Sequence, residues 1–221
     1  MAPKRPIGAG AIPVSVESPA PRMPERPPLY AALDLGTNSC RMLIARPEGR
    51  QFRVVDSFSK SVQLGAGLAA SGRISHGAIH RTIHALWVCR QKLRRHRVTR
   101  MRLVATEACR RATNGAHFMT RVERETGLSL DVIATEEEAR LAVVSCAPLV
   151  SARTEQLLVV DIGGGSTELV WIDLREVPPA ARKRAIMRMH LGFTSPGPEP
   201  AARVVDWISV PLGVATLREQ F

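Results

Sequence analysis

One short phrase occurs twice in this chain, and it limits what the chain can fold into more than any bulk property does. Residues 29–45 read LYAALDLGTNSCRMLIA and residues 157–173 read LLVVDIGGGSTELVWID. In each, an apolar run ends on an aspartate, passes through a turn of small residues and returns as a second apolar run. Asp34 matches Asp161, Leu35 matches Ile162, Gly36 matches Gly163 and Ser39 matches Ser166. A single recurrence over this distance is not a solenoid period. It predicts two similar α/β domains, each opening with a hairpin whose tight turn faces a shared cleft.

The segments around the two phrases fit that plan. Residues 1–28 hold eight prolines and read as a disordered leader. QFRVVDSFSKSVQL adds a third strand to the first hairpin. From Ser75 to Arg97, Ile79, Ile83, Leu86, Val88 and Leu93 recur near helical spacing, and MRLVAT then reads as a short buried strand. Asn114 is a good N-cap for a helix that stops at Gly127. SLDVIAT is a strand and EEEARLAVVSC a helix, so strands alternate with helices and the class is α/β. The lobes are placed at 29–145 and 150–221. Residues 175–203 read as an insertion, with a proline-started basic helix in VPPAARKRAIMRMHLG and a loop in FTSPGPEPAA.

Composition narrows the setting. With 221 residues and 45% hydrophobic content the chain can bury a core, since a domain near this size hides roughly 70% of its unfolded surface. Cys40, Cys89, Cys109 and Cys146 form no C-x-x-C pair, which argues against a disulfide framework or zinc knuckle and suits a reducing cytoplasm. No apolar run approaches the ~18 residues of a membrane span, so no membrane partner is expected. The formal charge of +11 is carried mostly by arginine, which suits phosphate oxygens. Only 4% of residues are aromatic, so the stacking platforms of single-strand nucleic-acid binders are mostly missing and nucleic acid is disfavoured.

The chemistry of the turns follows from their residue types. Without Cβ atoms, consecutive backbone amides can converge on an anion, and serine or threonine hydroxyls add donors. Gly36, Thr37, Asn38 and Ser39 in the first turn, and Gly163, Gly164, Gly165, Ser166 and Thr167 in the second, are the candidate phosphate-binding residues. An aspartate at the strand end would repel phosphate directly. It suits a divalent cation, or the orientation of an attacking water. The turns lack G-K-[ST]; a G-x-G-x-x-G reading from Gly163 fails at Glu168, and a strand follows where a helix is required.

AALDLGTNSCRMLIA, ATEACRRATN, EEARL, VVDIGGGSTELV and ISVPLGVATL occur in an order and spacing similar to those of the exopolyphosphatase and guanosine pentaphosphate phosphohydrolase (Ppx/GppA) family. That family lies within the superfamily of actin, sugar kinases and heat-shock chaperones, and the resemblance covers about residues 29–221. It implies a duplicated actin-like, ribonuclease H-like α/β fold whose second domain is shortened here, since family members continue well past PLGVATL. It further implies magnesium-dependent, water-driven removal of a terminal phosphate from polyphosphate or from the stringent-response alarmone guanosine pentaphosphate. The alternative from a different class is a catalytically weak or inactive module that binds the same ligands. A homodimer stays open.

Roles follow residue by residue. Thr135 and Glu138 have the spacing of a capping box, which leaves Glu137 without a structural task. The resemblance makes Glu137 the base that activates water; otherwise it only stabilises the start of its helix. Asp161 and Asp34 are expected to hold the metal or position water, with an Asx turn as the other reading for Asp34. Glu168 is expected in outer contacts, or as a polar residue on the solvent side of a strand. Arg110 is expected to neutralise the transferring phosphoryl group, and Arg111 to be a solvated loop arginine. RQKLRRHRVTRMR could guide a polyanion toward the cleft, but reads more simply as a solvated helix face.

Overall fold

The structure is a computed structural model, and residues 28–49, 51–189 and 201–220 are described, with side chains as far as Leu217. The proline-rich leader, apart from Pro28, and most of the expected loop at 193–202 lie outside these residues.

Tyr30–Leu35 (β1) and Ser39–Glu48 (β2) form the first hairpin, and Gln51–Ser61 (β3) pairs antiparallel with β2. Along β1, Ala31, Leu33 and Leu35 are buried while Tyr30, Ala32 and Asp34 are exposed. This alternation follows from the two-residue period of a strand. After a short helix at Leu68–Ser71 (α1), His76–Arg95 (α2) begins at Ser75, whose Oγ accepts the Ala78 N–H at 3.3 Å. Its buried residues Ala78, Ile79, Thr82, Ala85, Leu86, Cys89 and Leu93 form the stripe that a helix lays on a sheet. Arg100–Ala105 (β4) then pairs parallel with β1. Glu107–Arg111 (α3), Gly115–Thr126 (α4) and Asp131–Val132 (β5) follow, and the sheet order is β3-β2-β1-β4-β5.

Helix α4 stops at Gly127 in a left-handed conformation at φ 66°, as the sequence predicts. Asn114 precedes it but does not cap it. Its side chain exchanges two 2.9 Å hydrogen bonds with the backbone of Ile74, tying the start of α4 to the segment before α2. The chain then passes through Thr135–Ser145 (α5) into a second, antiparallel sheet of Gln156–Ile162 (β6), Thr167–Asp173 (β7) and Arg203–Val210 (β8). Arg182–Met187 (α6) lies between β7 and β8, and Val214–Gln220 (α7) follows β8. Helix α6 is shorter than the basic helix expected there, and Arg182 is buried, donating to the carbonyls of Val177 at 3.1 Å and Ala152 at 2.8 Å.

The described residues form two cores. The first lies between the five-stranded sheet and α2 and α4, with Leu33, Leu35, Ile44, Leu86, Leu93, Phe118 and Val122 at its centre. Burying such side chains contributes about 1.5–3 kcal/mol each. The second joins one face of the three-stranded sheet to α5 and α6 through Ala139, Val143, Val159, Val170, Ile172 and Ile186.

The internal duplication extends to atomic detail. Gly36 N–H donates to Ser39 O and Gly163 N–H donates to Ser166 O, both at 2.9 Å. Opposite the Ile44/Ala45 step β3 carries one extra residue, Val55; opposite the matching Trp171/Ile172 step β8 carries Val205. Each bulge sits in the same tetrapeptide, Arg53-Val54-Val55-Asp56 and Arg203-Val204-Val205-Asp206. A bulge bends and twists its strand, and here it does so at equivalent places in both hairpins.

Candidate functional site

The two turns meet at their tips. A Cβ on Gly164 would lie 2.9 Å from the Asn38 nitrogen, and one on Gly165 would lie 2.7 Å from Thr37 Oγ1 and 3.0 Å from Glu107 Cγ. Only glycine permits this approach. Behind the contact lies a cleft of about 280 Å³. Asp34, the first turn and Arg41 form one wall, and Asp161, Ile162, the second turn through Ser166, and Val214 form the other. Thr106 and Glu107, just past β4, and Glu138 on α5 complete it.

Asp34 and Asp161 therefore occupy the places expected of them, at the ends of β1 and β6 on opposite walls. Although Asp34 is open to solvent along β1, the surrounding cleft desolvates its carboxyl and pushes it above its ordinary range; Arg41 opposes that shift and the charge of Asp161 adds to it. The two carboxylates thus sense each other across the gap. Gly36, Thr37, Asn38, Ser39, Gly163, Gly164, Gly165 and Ser166 all line the cleft. Thr167 does not: its hydroxyl donates to the Leu212 carbonyl at 2.6 Å.

The glutamates of α5 are placed differently from the sequence reading. Glu137 is not on the cleft wall. Arg140 grips it through two bonds of 2.6 and 2.8 Å, and Arg102 of β4 adds a third at 2.9 Å. These arginines, Arg140 foremost, hold its carboxyl down at about 2. A carboxylate so neutralised is a weak proton acceptor.

Glu138 is the one that faces the cleft. It forms no capping box, because Ala134 is the N-cap and no side chain caps the helix. The phase of α5 is set by Ala139 and Val143, which are buried in the second core. One residue along a helix turns a side chain by about 100°, so Glu137 and Glu138 point to different environments. Burial raises the Glu138 carboxyl above its ordinary range; Arg110 pulls it back, Glu168 raises it further, and the Thr106 hydroxyl lowers it slightly.

Arg110 also departs from expectation. It does not line the cleft but stands behind it. Its Nη2 donates to Glu138 at 2.7 Å and to Glu107 at 3.2 Å, and its Nη1 to the Ile133 carbonyl at 2.8 Å. It fixes carboxylates in place and does not point at an incoming anion. Arg111 reaches Glu107 at 3.4 Å and is otherwise exposed. Glu168 is 2% exposed and accepts a 2.7 Å bond from Ser209, so it is not a solvent-facing strand residue.

The wall residues Arg41, Thr106, Glu107, Ile162 and Val214 escaped the sequence reading, and Glu138 was read there only as a capping residue. Among the described residues Arg41 is the single basic side chain on the cleft wall. The alternation of β2 was the available signal, since Arg41 lies two residues beyond Ser39 on the same face. From the basic stretch, Lys92 and His96 are engaged by Asp56 at 2.7 and 2.9 Å, while Arg94, Arg95 and Arg97 are exposed.

Two α/β lobes with paired acid-tipped hairpins around one cleft define the actin-like ATPase fold. The sequence pattern of the Ppx/GppA phosphatase family matches residues 43–221, and the chain belongs to that family. Guanosine-5'-triphosphate,3'-diphosphate pyrophosphatases of Aeromonas hydrophila and Aeromonas salmonicida are each 38% identical over 143 residues, 65% of this chain and 29% of theirs. The crystal structure of the Aquifex aeolicus Ppx/GppA family member superposes with a TM-score of 0.63 at 30% identity, covering 88% of this chain and 54% of that one. An exopolyphosphatase from Cytophaga hutchinsonii shares the fold, with a TM-score of 0.70 at 22% identity over 87% of this chain and 53% of its own. The chain thus spans about half the length of these solved relatives, and the match covers under a third of the Aeromonas proteins. Among the described residues no helix is long and apolar enough to cross a membrane.

Proposed function

We propose that this chain hydrolyses a terminal phosphoanhydride, that of inorganic polyphosphate or of guanosine pentaphosphate. The observation that carries the reading is the pair of equivalent turns, closed by the same hydrogen bond and facing one cleft, with Glu138 on its wall. Backbone amides of both turns and the Arg41 guanidinium receive the terminal phosphate. A water between that phosphate and Glu138 gives its proton to the Glu138 carboxylate as its oxygen attacks phosphorus. The bridging P–O bond breaks and its electrons leave on the shortened chain. Positioning and charge neutralisation supply most of the catalysis in such a reaction, so one held base and a set of fixed donors suffice.

The residues fit a magnesium ion. Asp34 and Asp161 face each other across the cleft, and this hard cation is ordinarily bound by one or two carboxylates together with substrate phosphates. No group of three or more His, Cys, Asp or Glu side chains among the described residues could hold a metal without such help. When bound, the ion would neutralise charge on the phosphate oxygens. The wall supports this reading, since among the described residues four carboxylates, Asp34, Glu107, Glu138 and Asp161, face one arginine.

The binding-only reading is favoured by one observation: among the described residues the second sheet has three strands and one apolar face uncovered. Phosphate release with magnesium, measured in parallel on long-chain polyphosphate and guanosine pentaphosphate, separates the two. Release by the wild type, its loss in Glu138→Gln and its loss on chelation support the hydrolase. Tight binding without release supports the module.

A further inference from the structure

The chain leaving each third strand repeats as well. Val62-Gln63-Leu64-Gly65 follows β3, and Val210-Pro211-Leu212-Gly213 closes β8 and leaves it. Each segment returns to the turn of its own lobe. Gly65 N–H donates to Thr37 O, and Val62 and Gln63 N–H both donate to Asn38 O, all at 2.9 Å. In the second lobe, Val214 N–H donates to Gly163 O at 3.0 Å and Ala215 N–H to Gly164 O at 2.9 Å.

These bonds decide where the turn amides point. In a trans peptide the carbonyl and the following N–H project in opposite directions, and the described chain has no cis bond. Tying the carbonyls of Thr37, Gly163 and Gly164 to the clasping segments therefore turns the N–H groups of Asn38, Gly164 and Gly165 away from them. Among the described residues those three amides donate to no acceptor.

Glycine is required where the clasp touches the turn. A Cβ on Gly213 would strike the backbone, at 2.5 Å from Gly165 N and 2.6 Å from Gly163 O. A Cβ on Gly65 would instead meet the methyl group of Thr37, a buried side chain and not backbone. Thr216 locks the second clasp: its hydroxyl accepts from Gly213 N–H at 2.7 Å and donates to Gly213 O at 2.9 Å.

We infer that Gly213 and Thr216, with Gly65 as the counterpart of Gly213 in the first lobe, are positioning residues that hold the turn amides ready for phosphate. The V-x-L-G segments are the working third part of each duplicated unit. The inference rests on the phosphate-binding reading of the cleft. It assigns the two lobes unequal tolerance, because only the second clasp presses on backbone.

The test titrates inorganic tripolyphosphate with magnesium into the wild type and into Gly65→Ala, Gly213→Ala, Thr216→Val and Thr216→Ser, with phosphate release and melting temperatures on the same preparations. Losing one or two charge-assisted hydrogen bonds weakens affinity about 10- to 100-fold. Gly213→Ala and Thr216→Val should lose affinity on that scale and show KM raised more than kcat is lowered. Gly65→Ala should lose less than Gly213→Ala, and Thr216→Ser should bind as the wild type does. Should Gly213→Ala fail to fold, the Thr216 pair decides, since Thr216→Val replaces the hydroxyl with a methyl group while Thr216→Ser keeps the hydroxyl and removes only the methyl. Equal affinity in wild type, Thr216→Val and Thr216→Ser overturns the positioning role while leaving the cleft reading intact. No binding by the wild type removes the cleft reading and this inference together.

Discussion

The two lobes are built from the same unit and are covered on opposite faces. Ala31, Leu33 and Leu35 of β1 are 7, 1 and 0% exposed, under α2 and α4. Their counterparts on β6, Leu158, Val160 and Ile162, are 62, 50 and 62% exposed. On the other face the order reverses: Ala32 of β1 is exposed, whereas Val159 of β6 is packed against α5 and α6. The edges differ too, since β1 is flanked by parallel β4 while β6 ends its sheet. Yet the turns and bulges are alike, and in both lobes the segment after the third strand ties back to the turn, through different donors. Turn geometry is thus a local property of the hairpin, its third strand and its glycine, and does not require the same layers beneath it.

The comparison also shows where the residues of the proposed chemistry come from. Thr106, Glu107 and Arg110 follow β4, which only the first sheet has, and Glu138 rides on the helix that leaves the first lobe to cover the second. Breaking that helix contribution should have the largest effect. A positioned general base is worth about 10²–10⁴ in rate, so Glu138→Gln should lose that much phosphate release while Glu137→Gln stays within a few-fold. Steady-state kinetics on both variants checks this, and the reverse order would return the base to Glu137.

The reversal of burial predicts unequal stability costs at matched positions. Leu35→Ala should destabilise by about 2–5 kcal/mol. Ile162→Ala, its counterpart, should stay within about 0.5 kcal/mol. Chemical denaturation of both variants measures the gap, and equal losses would mean that the second face is covered in solution.

The pH profile sharpens the role of Arg110. A base must be unprotonated to act, and Glu138 is held above the ordinary carboxylate range, so release should fall on acidification at a higher pH than for an exposed glutamate. Arg110 opposes that elevation. Arg110→Gln should therefore move the acid limb further up, a shift that a phosphate-clamping arginine would not produce.

The smallest effect concerns Glu137. Its ion pairs with Arg140 and Arg102 are only partly buried and should contribute about 0.2–1 kcal/mol. Its folded pKa is depressed to about 2, so this stability is present above the ordinary glutamate pKa and is lost as pH falls toward the folded value. Melting curves of Glu137→Gln against wild type should converge at low pH.

What was legible in the sequence was local. The D-x-G phrases located both turns, and both aspartates and every turn candidate except Thr167 line the cleft, because a turn's composition and its geometry are tied together. What was illegible depended on distant partners. The Thr135–Glu138 spacing is that of a capping box, but Arg110, far away in sequence, claims the Glu138 carboxylate. Thr167 has a hydroxyl suited to phosphate, but the Leu212 carbonyl takes it. Arg41 went unnoticed because an arginine on a strand looks like any solvated charge until the second wall of the cleft is in place.

The uncovered face carries its own spectroscopic probe. The chain has three tryptophans, and Trp171, on that face at the bulge step, is 44% exposed. With Trp87 and Trp207 replaced by phenylalanine, the remaining indole should emit at the red wavelengths typical of water. Any layer that seats itself on β6 and β7 would then announce its arrival as a blue shift, read without labels and in real time.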